Sequence, residues 1–314
     1  MSWPNWSTEP SLNYLISGVT GCIGYSLIKK ILKRGDSLCV ILNPKSKRNS
    51  VIEKIPNIGI KYISLSDYGK NPLRQNFDIF IHMAWQGGSQ RSDFTVNQSS
   101  SFQALKAIEM AVNTGCKKFI SVGSQAEYGP TDQIINEKLL CNPNTEFGIA
   151  KLNTYFRLKA VSEKLPIKFT WLRVLSAYGP NDRSNSMLMN VINKNQKDEP
   201  FKLSNCLHHW DFLHADDIAD ALLRLSYADK ISDLYVIGSD EQKILRDYIL
   251  DLASELKLDP RKMISKLEPT NAQPLNLRCD SAKIRNDIGW HPTINFKEGI
   301  KNLIHLQKKD KDHL

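Results

Sequence analysis

Apolar residues along the first 180 positions fall into short runs, separated by stretches in which they recur every three or four residues. The runs are Tyr14 to Ser17, Leu38 to Leu42, Lys61 to Leu65, Phe77 to His82, Phe119 to Val122 and Phe169 to Leu172. Each is short and rich in aliphatic and aromatic side chains, as strands buried on both faces are. Between them, Ile23 to Lys33, a charged stretch around Val51, Ser99 to Asn113 and Phe147 to Glu163 carry the helical period. Strand and helix alternating in this way predict an α/β fold with a doubly wound parallel sheet covered by helices on both faces.

After Gly179-Pro180 the rhythm breaks. Helical patterns at Ile218 to Tyr227, Gln242 to Leu256 and Phe296 to Lys308 mix with short strands and turn-rich connections, as expected of a cap that shapes a cleft. The predicted division is residues 1–177 plus about 212–238 for a dinucleotide-binding domain, and about 178–211 plus 239–314 for a smaller α/β substrate domain.

Composition leaves this picture intact. The 314 residues, 41% apolar and 24% charged, suffice to bury a core without covalent staples. No apolar run is long enough to span a bilayer, and MSWPNWSTEP lacks the order of a signal peptide, so no membrane partner and a cytoplasmic address are expected. The six cysteines form no CxxC pair and no Cys/His cluster, which predicts reduced core thiols and no metal site. An excess of 42 basic over 33 acidic residues suits a phosphorylated ligand. Much of it sits on solvated helix faces and in the tail KKDKDHL, so no nucleic-acid partner is expected.

The first candidate chemistry lies in NYLISGVTGCIGYSLIKKILKRG, a strand, a turn carrying Gly18, Gly21 and Gly24, and an amphipathic helix. Such a turn brings backbone close to a pyrophosphate and aims the helix N-terminus at it, as in the Rossmann-type fold. Gly18, Thr20, Gly21, Cys22, Ile23 and Gly24 are the candidate contacts. An NAD site usually places Asp or Glu about 20 residues further on, on the ribose hydroxyls. Here CVILNPKSKRNS offers Asn43, Lys45, Ser46, Lys47 and Arg48 instead. With no carboxylate to repel it, a 2′-phosphate would be held, with Asn43, Lys45 and Arg48 as candidates for NADP(H); the other reading is a basic solvent-facing loop.

Further landmarks follow in order: FDIFIHMAWQGG (Phe77 to Gly88), Asn97, SVGSQAEYGP, TEFGIAK, LRVLSAYGPND, WDFLHADDIADAL and DSAKIRNDIGWHP. Together with the glycine turn they resemble the extended short-chain dehydrogenase/reductase family, in its nucleotide-sugar epimerase, dehydratase and reductase branch. In that family a hydride moves between nicotinamide and a sugar carbon while a tyrosine exchanges the proton on the sugar oxygen. A lysine lowers the tyrosine pKa and holds the nicotinamide ribose, and a Ser or Thr binds the same sugar oxygen. The resemblance implies Ser124 as the hydroxyl, Lys151 as the cation, and Phe147 where the tyrosine belongs. It also implies that Met83, Ala84, Trp85, Val122, Lys151 and Leu175 line the cofactor, that Asn97 kinks its helix, and that a homodimer forms through helices near 99–113 and 147–163.

Dehydratases of this branch carry Asp-Glu after the catalytic hydroxyl; this chain has Gln125 and Ala126. Epimerases recycle NAD within a turnover, which the basic second strand end does not favour. The wording GSQAEYG resembles C4-ketoreductases acting on nucleotide-linked 4-keto-6-deoxysugars, such as the synthases of CDP-abequose and dTDP-fucose. The leading expectation is therefore NADPH-dependent reduction at C4 of a nucleotide-diphosphate sugar, in a form impaired by Phe147. Two alternatives stay open: a nucleotide-sugar epimerase or reductase using Glu127, Tyr128 or Tyr178 as the acid, and a non-catalytic NADP-binding sensor or scaffold. Candidate substrate contacts are Trp85, Gln125, Ser176, Arg183, His209, Trp210 and Arg278. Trp210 stands where many relatives carry an arginine that grips the diphosphate.

Overall fold

A computed structural model describes residues 9–70, 73–86, 90–197, 199, 201–264 and 276–312. The first half alternates as the pattern requires. Strand β1 (Asn13–Ser17), helix α1 (Cys22–Arg34), β2 (Ser37–Leu42), the short α2 (Asn49–Glu53) and β3 (Gly59–Tyr62) lead to β4 (Ile79–His82) and α3 (Phe94–Asn113). Next come β5 (Lys118–Ser124), α4 (Glu146–Ser162), β6 (Lys168–Val174) and the three-residue β7 (Ser176–Tyr178). The remainder holds α5 (Met187–Gln196), β8 (His209–Trp210), β9 (Phe212–His214), α6 (Ala215–Tyr227), β10 (Leu234–Ile237) and β11 (Lys243–Ile244). Helices α7 (Leu245–Leu256), α8 (Pro260–Met263), α9 (Ala282–Ile288) and α10 (Phe296–Asp312) complete the order.

Seven strands form one sheet in the order β10-β6-β5-β4-β1-β2-β3, every pair parallel. The order 3-2-1-4-5-6 is that of the dinucleotide-binding fold, with β10 added beyond the sixth strand. Alternate strand residues feed opposite cores. Tyr14, Ile16, Val40 and Ile81 pack with α1 and α6, while Leu15, Cys39, Ile41 and Phe80 pack with α3 and α4. A third core of Leu188, Ile192, Phe212, Tyr248, Ile249, Phe296 and Ile300 belongs to the cap. Ile284 and Trp290, which the sequence places in the substrate domain, pack with the first core, and Trp290 Nε1 donates to Asp217 O at 2.9 Å.

Several element boundaries differ from the sequence pattern, three of them instructively. The third strand covers Gly59–Tyr62, and Leu65 opens a 3-10 turn instead of closing a strand. Helix α3 starts five residues before Ser99, because Asp93 accepts the Val96 N–H as its N-cap. Lys243 and Ile244 lie outside α7, drawn into an antiparallel ladder with Trp210 and His209. Helices α5, α8 and α9 carry too short an apolar period to stand out in sequence.

Candidate active site

The catalytic candidates converge at the C-terminal ends of β4 and β5. Helix α4 is opened by Thr145, whose Oγ1 accepts the Gly148 N–H at 3.1 Å. Phe147 and Lys151 are one helical turn apart and so face the same side. A Cβ on Gly148 would lie 2.2 Å from Ala126 O, so only glycine lets this helix lie against the turn after β5. Lys151 is 7% exposed; its Nζ donates to Val122 O at 2.8 Å and sits 3.9 Å from the Trp85 ring centre. Burial pulls its pKa down to about 7, against the opposing charge of Glu127. The buried Phe147 ring lies 5.9 Å from that ammonium and edge-on to Trp85.

Ser124 closes β5. Its Oγ accepts the Ala126 N–H at 3.2 Å, and Glu127 Oε1 accepts the Ser124 N–H at 2.8 Å, a reciprocal cap. Ser124 is half-buried, and its hydroxyl proton has no acceptor among the described residues. Glu127 is wholly buried, accepting from Trp171 Nε1 at 3.0 Å and Arg173 Nε at 2.6 Å. Tyr128 is held between Arg173 and the Asn136 carbonyl, and Tyr178 is packed in the cap core against Phe212 and Phe296. Glu127 and Tyr128 thus lie in a structural network, whereas the Tyr178 hydroxyl is buried in the cap core with no partner among the described residues. Gln125 follows Ser124 in the same 3-10 turn, half-buried.

Trp85 is fixed by its Nε1 donating to Asn97 Oδ1 at 3.0 Å, and Asn97 in turn donates to Asp93 O at 2.7 Å. Asn97 therefore ties the first turn of α3 to the cleft wall. Arg91, which sequence reasoning missed, stands 5.1 Å over the Phe147 ring and receives the Phe147 N–H on its carbonyl. His82 is buried and held neutral, its pKa lowered to about 3 by burial, with Ser17 Oγ 2.8 Å from Nδ1. Gly87 and Gly88 of the same motif lie outside the described residues.

At the other end of the cleft, α1 begins at Gly21 with no side chain capping it. Gly18 holds φ +78°, and a Cβ there would overlap the Met83 and Ala84 backbone, so these two candidates abut the turn. A Cβ on Gly21 would meet Gly18 O at an ordinary 3.9 Å, and Gly24 packs on Val19. Thr20 and Ile23 are half-buried, and the Cys22 thiol is buried with its pKa pushed up to about 12. Asn43 and Lys45 are exposed beyond β2, with the Lys45 N–H on Asn43 Oδ1, while Arg48 Nη2 donates to Asn181 O at 2.6 Å.

The remaining candidates spread along the cap. Leu175 is 5% exposed and packs with Tyr128, Ile135 and Leu277, so its side chain belongs to a core and only its backbone is left to face a ligand. Ser176 is half-buried, its N–H on Asp211 O, and Arg183 is exposed. His209 meets Asn276 Oδ1 through its ring at 3.0 Å, and Arg278 donates to the Asp132 carbonyl. Trp210 Nε1, Arg278 Nε and both ring nitrogens of His208 are buried without a partner among the described residues. His208 is a second group the sequence reading left out; its position beside Trp210 in the cap ladder was the signal.

Among the described residues no cluster of His, Cys, Asp and Glu could hold a metal ion, no helix is long and apolar enough to cross a membrane, and none of the six cysteines is paired.

A doubly wound sheet with a glycine turn on its first strand, a hydroxyl on its fifth and a lysine on the next helix defines an extended short-chain dehydrogenase/reductase. Residues 14–238 match the NAD dependent epimerase/dehydratase family, and the chain belongs to it. The dTDP-4-dehydro-6-deoxyglucose reductase of Escherichia coli is 24% identical over 92% of this chain and 96% of its own length. The CDP-abequose synthase of Salmonella typhimurium is 21% identical over 92% of this chain and 96% of its own. Among solved structures, a UDP-glucuronic acid 4-epimerase from Bacillus cereus in complex with UDP-glucuronic acid and NAD has a TM-score of 0.84 at 21% identity, over 95% of this chain and 99% of its own.

Proposed function

We propose that the protein reduces the C4 carbonyl of a nucleotide-linked 4-keto-6-deoxysugar with NADPH, and that Phe147 leaves this form impaired. The observation that carries the reading is the convergence of Ser124, Lys151 and Phe147 beside Trp85, while Glu127 and Tyr128 are bound into the network below and Tyr178 is packed in the cap core. The nicotinamide, when bound, supplies the hydride. Gly18 to Gly24 and the uncapped start of α1 would hold its pyrophosphate, with Asn43, Lys45 and Arg48 around a 2′-phosphate. Ser124 would donate a hydrogen bond to the C4 oxygen, and Lys151 would place a positive charge beside it. The proton that this oxygen must gain has no donor on the Phe147 ring. The orphaned nitrogens of His208, Trp210 and Arg278 support a polar, anionic substrate on the cap side. Exposed Phe102 and Phe156, 49% and 58% accessible on the adjacent helices α3 and α4, support a homodimer through that face.

The test is Phe147→Tyr, assayed for NADPH oxidation against 4-keto-6-deoxysugars on several nucleotides. Restoring a general acid raises the rate on the order of 10² to 10⁴; no gain on any substrate overturns the reading. An epimerase, the second reading, converts its sugar without net NADPH consumption, so the ratio of cofactor oxidised to sugar converted separates the two. Its support is the likeness to an NAD-bound 4-epimerase.

A further inference from the structure

The loop after β7 reaches across to the phosphate turn, and one residue makes the crossing. Asn181 Nδ2 donates to Thr20 O at 3.0 Å, inside the glycine turn. Its own carbonyl accepts from Arg48 Nη2 at 2.6 Å, in the loop after β2. Three segments far apart in sequence therefore meet on Asn181: the pyrophosphate turn, the basic loop and the start of the cap. The residue sits at φ 60°, in the left-handed region that asparagine tolerates better than most side chains. Its backbone is thus turned so that the amide and the carbonyl serve different partners.

The consequence falls on Arg48. Lys45 and Lys47 in the same loop are exposed, and no side-chain contact fixes either among the described residues, whereas Arg48 is half-buried and anchored. A guanidinium is a planar fork with five N–H donors, so one bond to a fixed carbonyl sets the plane and leaves the other edge for two oxygens of a phosphate. Asp182 and Arg183 flank the same space, where burial and the Arg183 charge oppose the charge on Arg48 and the Asp182 carboxylate supports it.

We infer that Asn181 is a positioning residue for cofactor selection: from the substrate-side loop it aims Arg48 at the 2′-phosphate, so preference for NADP(H) over NAD(H) depends on a contact between the two lobes. The inference rests on the NADP(H) reading above. It explains why a basic loop that is otherwise solvent-facing has one ordered cation.

Dissociation constants of NADPH and NADH, measured by fluorescence titration on the full chain, test it with Arg48→Gln, Asn181→Gly, Asn181→Asp and the Arg48→Gln/Asn181→Gly double variant. Glycine keeps the positive φ and the carbonyl while removing the bond to Thr20; aspartate keeps the size but opposes an acceptor to the Thr20 carbonyl. Each single variant lowers the NADPH:NADH affinity ratio about tenfold, the scale of one charge-assisted hydrogen bond. The double variant falls no further than Arg48→Gln alone. If both Asn181 variants weaken the two cofactors equally and leave the ratio unchanged, Asn181 only supports the turn and the inference is overturned. A parent protein without preference for NADPH overturns the cofactor reading itself, and with it this one.

Discussion

The two walls of the cleft are finished to different degrees. On the sheet side, Ser124, Glu127, Trp171 and Arg173 close a network in which Glu127 accepts three N–H donors with no access to water. On the cap side, His208, Trp210 and Arg278 carry buried nitrogens with no partner among the described residues. The Glu127 network is closed within the protein, as a site that must present fixed charges to a reaction requires, while His82 Nε2 on β4 is buried without a partner among the described residues. The cap-side donors have no partner among the described residues, which fits the proposal that this side selects the substrate. On the proposed function, chemistry and selectivity are built on separate elements.

Breaking the sheet wall has the largest expected effect. Glu127→Ala leaves the Arg173 guanidinium, 3% exposed, without its carboxylate. Loss of one partner from such a buried pair costs about 3–5 kcal/mol. The urea midpoint measures this, and a loss under about 1 kcal/mol would mean that water reaches Arg173 in the variant. The same substitution in the Phe147→Tyr background removes the cap of Ser124, so activity falls even where the protein remains folded.

The cap wall responds differently. Trp210→Phe removes a buried N–H that has no partner among the described residues, so stability stays level or rises slightly. In the Phe147→Tyr background the KM for the nucleotide sugar rises roughly tenfold with kcat nearly unchanged, as loss of one uniform hydrogen bond demands. A stability loss with unchanged KM would place Trp210 in the core and end the contrast between the walls.

The same contrast governs what the sequence discloses. Ser124, Phe147, Lys151 and the three glycines were legible because each motif is local: a turn, a strand end, and two residues one helical turn apart. Glu127 could be noticed but not weighed. Its partners Trp171 and Arg173 lie 44 and 46 residues further on, on the neighbouring strand, so a buried hub looks like a spare acid in sequence. Asn181 and Arg91 act through contacts with Thr20 and Phe147 that no spacing announces. Arg278 read as a diphosphate contact; its Nη2 donates to the Asp132 carbonyl, a bond no spacing announces, and its Nε is buried without a partner among the described residues. The parallel, doubly wound sheet followed from alternation, whereas the cap elements are too short for a period and their pairing is set by tertiary contact.

The smallest effect sharpens the comparison by pH, because each wall buries a titratable group whose pKa is moved to about 7. Lys151 on the sheet side has its pKa lowered to about 7 by burial. Asp211, beside Trp210 on the cap side, has its pKa raised to about 7 by burial, although the Ser239 N–H at 2.7 Å works against that. Asp211 contributes stability that is fully present below its unfolded value of ~3.9 and is lost as pH rises toward 7. Lys151 contributes stability that is fully present above its unfolded value of ~10.4 and is lost as pH falls toward 7. Together they put a minimum in stability near neutrality, with limbs no steeper than about 1.4 kcal/mol per pH unit. Asp211→Asn flattens the acid limb between about pH 4 and 7, and Lys151→Met flattens the alkaline limb between about pH 7 and 10. Denaturant midpoints across pH 4 to 10, taken as differences from the parent, read the two limbs separately. If either variant shifts both limbs alike, the two walls share one electrostatic environment, and their division of labour would have to rest on hydrogen bonding alone.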